Sequence, residues 1–149
     1  MLQATDEQII DILRMETVPA LGCTEPVACA LACARCQEEL GGIPEHIKVY
    51  VSGNIYKNGM GVGIPGSGMT GLPIAAALGV VCGKTQYGLE VLKEVSVSNH
   101  LELAKSLLKN HAVDIFLKED APDKLYAEAV CSRGEAVVKT VIVHGHTNI

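Results

Sequence analysis

The chain has no tryptophan, one phenylalanine and four tyrosines, so aromatics make up only 3% of its 149 residues. A core built without large rings must come from Ala, Val, Leu, Ile and Cys, which requires closely approaching helices. Basic clusters are also missing. Twelve Lys and Arg face 17 Asp and Glu, for a net charge of −5 and a pI near 5.5. That balance argues against nucleic acids and anionic membranes as partners. The longest strongly apolar run, Leu72 to Cys82, has eleven residues. A membrane-spanning helix needs about 20. The start, Met1-Leu2-Gln3-Ala4-Thr5-Asp6-Glu7, is acidic and lacks a signal-peptide pattern, which leads to the expectation of a cytoplasmic protein.

What is present points to one folded domain over residues 1–149. Hydrophobic residues make up 48% and charged residues 19%, enough apolar material for a core and too little charge for disorder. Six cysteines in a cytoplasmic chain are expected to be reduced, as core, catalytic or metal-binding groups, rather than disulfide-bonded.

Thr5 and Gln8 have the spacing of a capping box, and Ile9, Ile10, Ile12 and Leu13 supply the apolar face of a first helix that fades near Thr17-Val18-Pro19. Thr24 is an expected N-cap for a second helix running to Leu40, with Glu25 and Pro26 suited to its first turn and Gly41-Gly42 ending it. His46 to Val51 alternates polar and apolar residues as a strand does. Ser52 to Gly71 holds seven glycines and reads as a long loop. Helices are expected at Leu72 to Val81, Gly88 to Glu94 and Asn99 to Lys109. Strands are expected at Ala112 to Lys118, Leu125 to Ser132 and Glu135 to Gly145, the last two joined by a turn at Arg133-Gly134. The fold class is therefore α+β: N-terminal helices, a Gly-rich loop, then a small, largely antiparallel sheet packed against helices.

Four features could carry chemistry. Cys23 precedes the second helix, where unpaired N–H groups and the positive end of the helix dipole favour a thiolate. Glu25, beside it, suits an acid–base role or a simple interaction with the dipole. Cys29, Cys33 and Cys36 share one helix face. Their C-x3-C-x2-C text matches the cluster motif of radical S-adenosylmethionine enzymes. Arg35 stands where those enzymes carry an aromatic, and the chain is short for their barrel, so these cysteines read as small core residues. The loop contains G-x-G-x-x-G twice, at Gly61-Gly63-Gly66 and Gly66-Gly68-Gly71, but Pro65 interrupts the first and no βαβ unit follows, which disfavours a dinucleotide site. Ser52, Asn54, Lys57, Asn58, Ser67 and Thr70 suit the binding of a carboxylate or phosphate among glycines, the bland alternative being a turn-rich surface loop. His144 and His146 alternate on the last predicted strand, two metal donors without a third.

The segments Ala20-Leu21-Gly22-Cys23-Thr24-Glu25-Pro26-Val27-Ala28 and Ser52 to Gly68, continued by Gly71 to Gly79 and His146-Thr147-Asn148, closely resemble the L-cysteine desulfidase family. That family takes in uncharacterised bacterial UPF0597-type proteins and is related to the alpha chain of iron–sulfur L-serine dehydratases. Its members are longer than this chain. The resemblance implies a lyase that works without pyridoxal phosphate and eliminates the β-substituent of a small amino acid, cysteine or serine, to give pyruvate, ammonia and sulfide or water. It implies a [4Fe–4S] cluster held by three cysteines, whose free iron acts as a Lewis acid. Cys23 matches the first of these ligands; the other two belong to the family's C-terminal portion, so the chain is expected to need that portion or a separate subunit. Under this resemblance Glu25 and Lys57 take catalytic roles, while Ser52, Asn54, Asn58, Ser67 and Thr70 grip the substrate. Homo-oligomer formation is left open. The alternative is a non-catalytic module that binds a small amino acid or another carboxylate.

Overall fold

The computed structural model describes residues 5–17 and 19–149. The stretch from Met1 to Ala4, used above in looking for a leader, lies outside the described residues, as does Val18 at the expected fade of the first helix. The elements run in the order α1 (Asp6–Glu16), α2 (Thr24–Leu40), β1 (His46–Val51), α3 (Gly53–Gly59), β2 (Gly63–Ile64), β3 (Met69–Thr70), α4 (Leu72–Cys82), a 3-10 segment (Thr85–Glu90), α5 (His100–Lys109), β4 (Val113–Leu117), β5 (Tyr126–Arg133) and β6 (Ala136–Val143). This is an α+β fold.

Strands β4, β1, β5 and β6 lie in that order in one sheet. The β1–β5 and β5–β6 pairs are antiparallel. Strand β4 pairs with β1 in parallel, with Ile47 opposite Val113, so the sheet is mixed rather than wholly antiparallel. The parallel pair needs a crossover, and α3, the β2–β3 hairpin, α4 and α5 supply it. The β5–β6 register pairs Arg133 with Ala136, so the turn residues are Gly134 and Glu135, one position later than expected.

One sheet face, carrying Ile47, Val49, Val51, Ala127, Ala129, Cys131 and Ile142, is fully buried beneath the helices. Helix α2 packs on β5 and β6, and α4 packs on α2 and α5. With so few aromatics, this core depends on close approach. A Cβ at Gly79 would collide with the backbone carbonyl of Ala30, and one at Gly83 would lie 2.9 Å from the Ala34 methyl. Leu72 O lies 3.9 Å from Cys29 Sγ, and with Gly79 against Ala30 and Gly83 against Ala34 the contacts advance in the same order along both helices, so α2 and α4 run in the same sense.

Two expected elements differ. The glycine-rich stretch is no loop: Gly53–Gly59 forms a short helix, and Gly63–Ile64 pairs with Met69–Thr70 as a small antiparallel hairpin. Dense glycine masked these elements because it carries no hydrophobic periodicity. The helix expected at Gly88 to Glu94 is a 3-10 segment over Thr85–Glu90 that breaks at Gly88, where φ is 54°.

Candidate functional site

The site begins with how the chain enters α2. Gly22 has φ +87°, and a Cβ there would come within 3.0 Å of the Pro65 ring, so glycine is needed both for the turn and for the close contact. This contact seats the Cys23 segment on the β2–β3 hairpin. Leu21 N–H, donating to Leu89 O at 3.3 Å, ties the same segment to the chain after the 3-10 segment's break. Having turned over Pro65, the backbone is extended at Cys23 (φ −75°, ψ 141°), which makes Cys23 the N-cap instead of Thr24.

Among the six cysteines, all unpaired, Cys23 alone is exposed. Its Sγ donates to Glu25 Oε2 at 2.8 Å. The electrostatic expectation is thereby reversed. The neighbouring carboxylate, followed by partial burial, raises the thiol above its ordinary value, while backbone N–H groups of Glu25 and Thr24 pull it down by less. The helix terminus acts in the anticipated direction, but a full negative charge at hydrogen-bond distance outweighs it. Glu25 is held below the usual carboxylate range, first by the Cys23 hydrogen bond and then by its own N–H and the nearby His146.

His146 is the residue that sequence reasoning left out of the site. Strand β6 stops at Val143 and His144 takes a positive φ of 65°, so the two histidines do not share a strand face. Asn148 closes the turn, with Nδ2 donating to Val143 O at 2.8 Å. His144 instead meets Asp123 at 2.8 Å. The only sequence signal for His146 was its place in the terminal His146-Thr147-Asn148 motif. Nothing local links it to Glu25, 121 positions earlier.

The remaining candidates divide into two groups. Ser52 and Ser67 are buried, and their hydroxyls are spent on structure. Ser52 Oγ donates to Lys124 O at 2.6 Å, and Ser67 Oγ donates to Ile64 O at 2.7 Å while accepting from Met69 N at 3.0 Å. Asn54, Lys57 and Asn58 lie exposed on α3, where Asn58 Nδ2 donates to Asn54 Oδ1 at 3.3 Å, and Thr70 is exposed on the hairpin. Helix α3 is anchored by Gly59, whose missing side chain makes room for Leu72 at the start of α4. The hairpin and α3 thus flank the end of the domain where α2 and α4 begin.

The second cysteine group is core, as its helical spacing suggested. Cys29, Cys33 and Cys36 are at 0% exposure, and so is Cys131 on β5. Cys36 Sγ donates to Thr140 Oγ1 at 3.2 Å. Hydrogen bonds to Cys131, together with burial, push the Cys33 and Cys36 thiols well above their ordinary value. No group of three or more His, Cys, Asp or Glu able to hold a metal ion occurs among the described residues. No helix of the described residues is long and apolar enough to cross a membrane.

The chain is 53% identical over 142 residues to a UPF0597 protein of Parabacteroides distasonis, covering 95% of this chain and 33% of that protein. It is 50% identical over 147 residues to a UPF0597 protein of Bacteroides fragilis, covering 99% and 34%. Its identity to a UPF0597 protein of Oleidesulfovibrio alaskensis is 47% over 149 residues, covering 100% and 34%. These close relatives support the UPF0597 family, and the chain spans about a third of the length of the curated relatives it matches. No family model matches the chain. No solved structure matches it.

Proposed function

We propose that this chain supplies one part of the site of an iron–sulfur-dependent amino acid lyase that works without pyridoxal phosphate, of the L-cysteine desulfidase or L-serine dehydratase type. Such an enzyme removes sulfide from cysteine, or water from serine, leaving an enamine that hydrolyses to pyruvate and ammonia. The observation that carries the reading is the exposed Cys23 thiol at the mouth of α2, with a carboxylate acceptor 2.8 Å away and the preceding Gly22 packed on Pro65 of the glycine-rich hairpin.

A cluster ligand must be a thiolate. Glu25, which accepts the Cys23 S–H hydrogen bond at 2.8 Å, would orient the thiol and relay its proton onward. Asn54, Lys57 and Asn58, exposed beside the same end of the domain, would hold the substrate carboxylate, with Lys57 as the point charge. Ser52 and Ser67 would serve by fixing α3 and the hairpin rather than by touching substrate.

The donors present do not by themselves fit a [4Fe–4S] cluster. Such a cluster needs several thiolates. The other five cysteines are buried, and the described residues hold no three-ligand group. The chain offers one ligand, and the rest are assigned to polypeptide that the relatives have and this chain lacks.

The test is anaerobic reconstitution with iron and sulfide of a full-length protein in which this chain replaces the matched third of the Parabacteroides distasonis relative. The expected result is sulfide and pyruvate from cysteine, or pyruvate from serine, lost in Cys23→Ala together with the cluster chromophore. A cluster-loaded protein that forms no product from either amino acid would overturn the reading. Calorimetric binding of a small amino acid to the 149-residue chain, unchanged by Cys23→Ala, would identify a binding module instead.

A further inference from the structure

Helix α1 is well made locally and poorly covered. Thr5 Oγ1 accepts from Gln8 N at 3.2 Å while Gln8 Oε1 accepts from Thr5 N at 2.9 Å, completing the capping box. Asp6 and Glu7 sit in the first turn and Arg14 in the last, as the helix dipole favours. Among the described residues its one ion pair, Arg14 Nη1 to Asp11 Oδ1, lies within the helix.

Its apolar residues face outward. Ile9, Ile10, Ile12 and Leu13 are 45%, 46%, 56% and 57% exposed. At 100° per residue these four fall within one arc of the helix, whereas Glu7 and Asp11 lie opposite. Ile10, Leu13, Arg14 and Thr17 line a shallow, wide-open hollow on the helix. An isolated helix shorter than about 12–15 residues is marginal in water, and α1 has 11. Four large aliphatic side chains also lie together, about half exposed, in this arc. Both facts call for a partner.

We infer that this face docks onto an apolar surface in the two thirds of a UPF0597-type polypeptide that lie outside the segment matched here. Relatives aligned over 95% to 100% of this chain carry about twice as much polypeptide again. The size of the stripe decides between that occupant and a second copy. Eleven residues make a helix only about 16 Å long. Two such faces fall short of the roughly 1,200 Å² that a stable interface between separate chains buries. A linked segment avoids the translational cost of association, so a small apolar face suffices. This inference rests on the proposal that the chain acts as part of a longer protein.

Hydrogen exchange, which uses neither cluster nor catalysis, tests it separately from the lyase reading. The samples are the 149-residue chain and the full-length protein in which it replaces the matched third of the Parabacteroides distasonis relative. Amides of α1 are expected to exchange at least about 100-fold more slowly in the longer protein, while α2 amides are protected in both. Ile12→Asp combined with Leu13→Asp should remove the α1 protection in the longer protein and leave that of α2. Equally fast α1 exchange in both proteins overturns the inference. So does α1 protection in the 149-residue chain: if it grows with concentration the occupant is a second copy, and if not, the face is covered within this chain. Should the exchanged protein leave α2 unprotected, the intact relative's segment aligned with α1 is measured instead, and fast exchange there overturns the inference equally.

Discussion

The start of α2 and its middle present the same residue type to opposite surroundings. Cys23 is exposed and bonded to a carboxylate, whereas Cys29, Cys33 and Cys36 on the same helix are at 0% exposure. Both settings raise the thiol pKa, for different reasons. At Cys23 the cause is a nearby negative charge, which a bound cation or the loss of Glu25 would cancel. At Cys33 and Cys36 it is thiol–thiol hydrogen bonding and desolvation, which only unfolding removes. A cysteine's chemistry here follows from what packs on it rather than from its helix.

The largest effect should come from the contact that buries the middle of α2. Gly79→Val would drive a branched side chain into the Ala30 carbonyl, and is expected to cost about 3 kcal/mol in urea unfolding. A loss below about 1 kcal/mol would show that α2 and α4 can move apart. Next, Cys33→Ser places a strongly polar hydroxyl in a thiol-lined core and should cost about 2 kcal/mol, while Cys23→Ser should change stability by less than about 0.5 kcal/mol. Equal costs would erase the contrast between the two ends of the helix.

Reactivity sharpens the comparison further. In native protein a disulfide reagent should label one thiol, Cys23, and reach all six only in denaturant. Glu25→Gln removes the charge that raises Cys23, so labelling near pH 7.5 should quicken by about threefold to tenfold, with the rate midpoint shifted to lower pH. An unchanged midpoint would mean that Glu25 does not govern the thiol. The smallest effect is predicted at Tyr126, on the sheet face away from the helices. Its hydroxyl donates to Glu128, and burial, with that carboxylate, pushes it up to about 12 from 10.0. Its contribution to stability is complete below pH 10 and is lost as pH rises from about 10 to about 12. Thermal melts across that window should show a shallower decline in Tyr126→Phe.

Much of the frame was legible along the chain because its signals are local. The Thr5–Gln8 capping box, the Gly41 terminus of α2 (φ 72°) and the alternation of His46–Val51 each depend on neighbours within a few residues. The small residues of α2 and α4 likewise announced close helix packing. The Ser52 to Gly71 stretch resisted reading, since a short helix and a two-residue hairpin built from glycines bury little and leave no periodic pattern. The site was half legible. Cys23 and Glu25 are two residues apart and were paired from sequence, but Ser52 and Ser67 looked like ligand groups and proved to be buried braces.

By itself, the sequence determined the α+β class, the helical face shared by Cys29, Cys33 and Cys36, and a thiol beside a carboxylate at a helix mouth. Each follows from short-range geometry, the 3.6-residue helical turn and the backbone demands of caps. Only the tertiary structure decided that Pro65 packs against the turn at Gly22, that His146 belongs to the same corner as Glu25, and that α1 keeps its apolar face uncovered. Those outcomes depend on distances between residues far apart in the chain. Electrostatic and packing energies fall off over a few ångströms of space, whatever the separation in sequence.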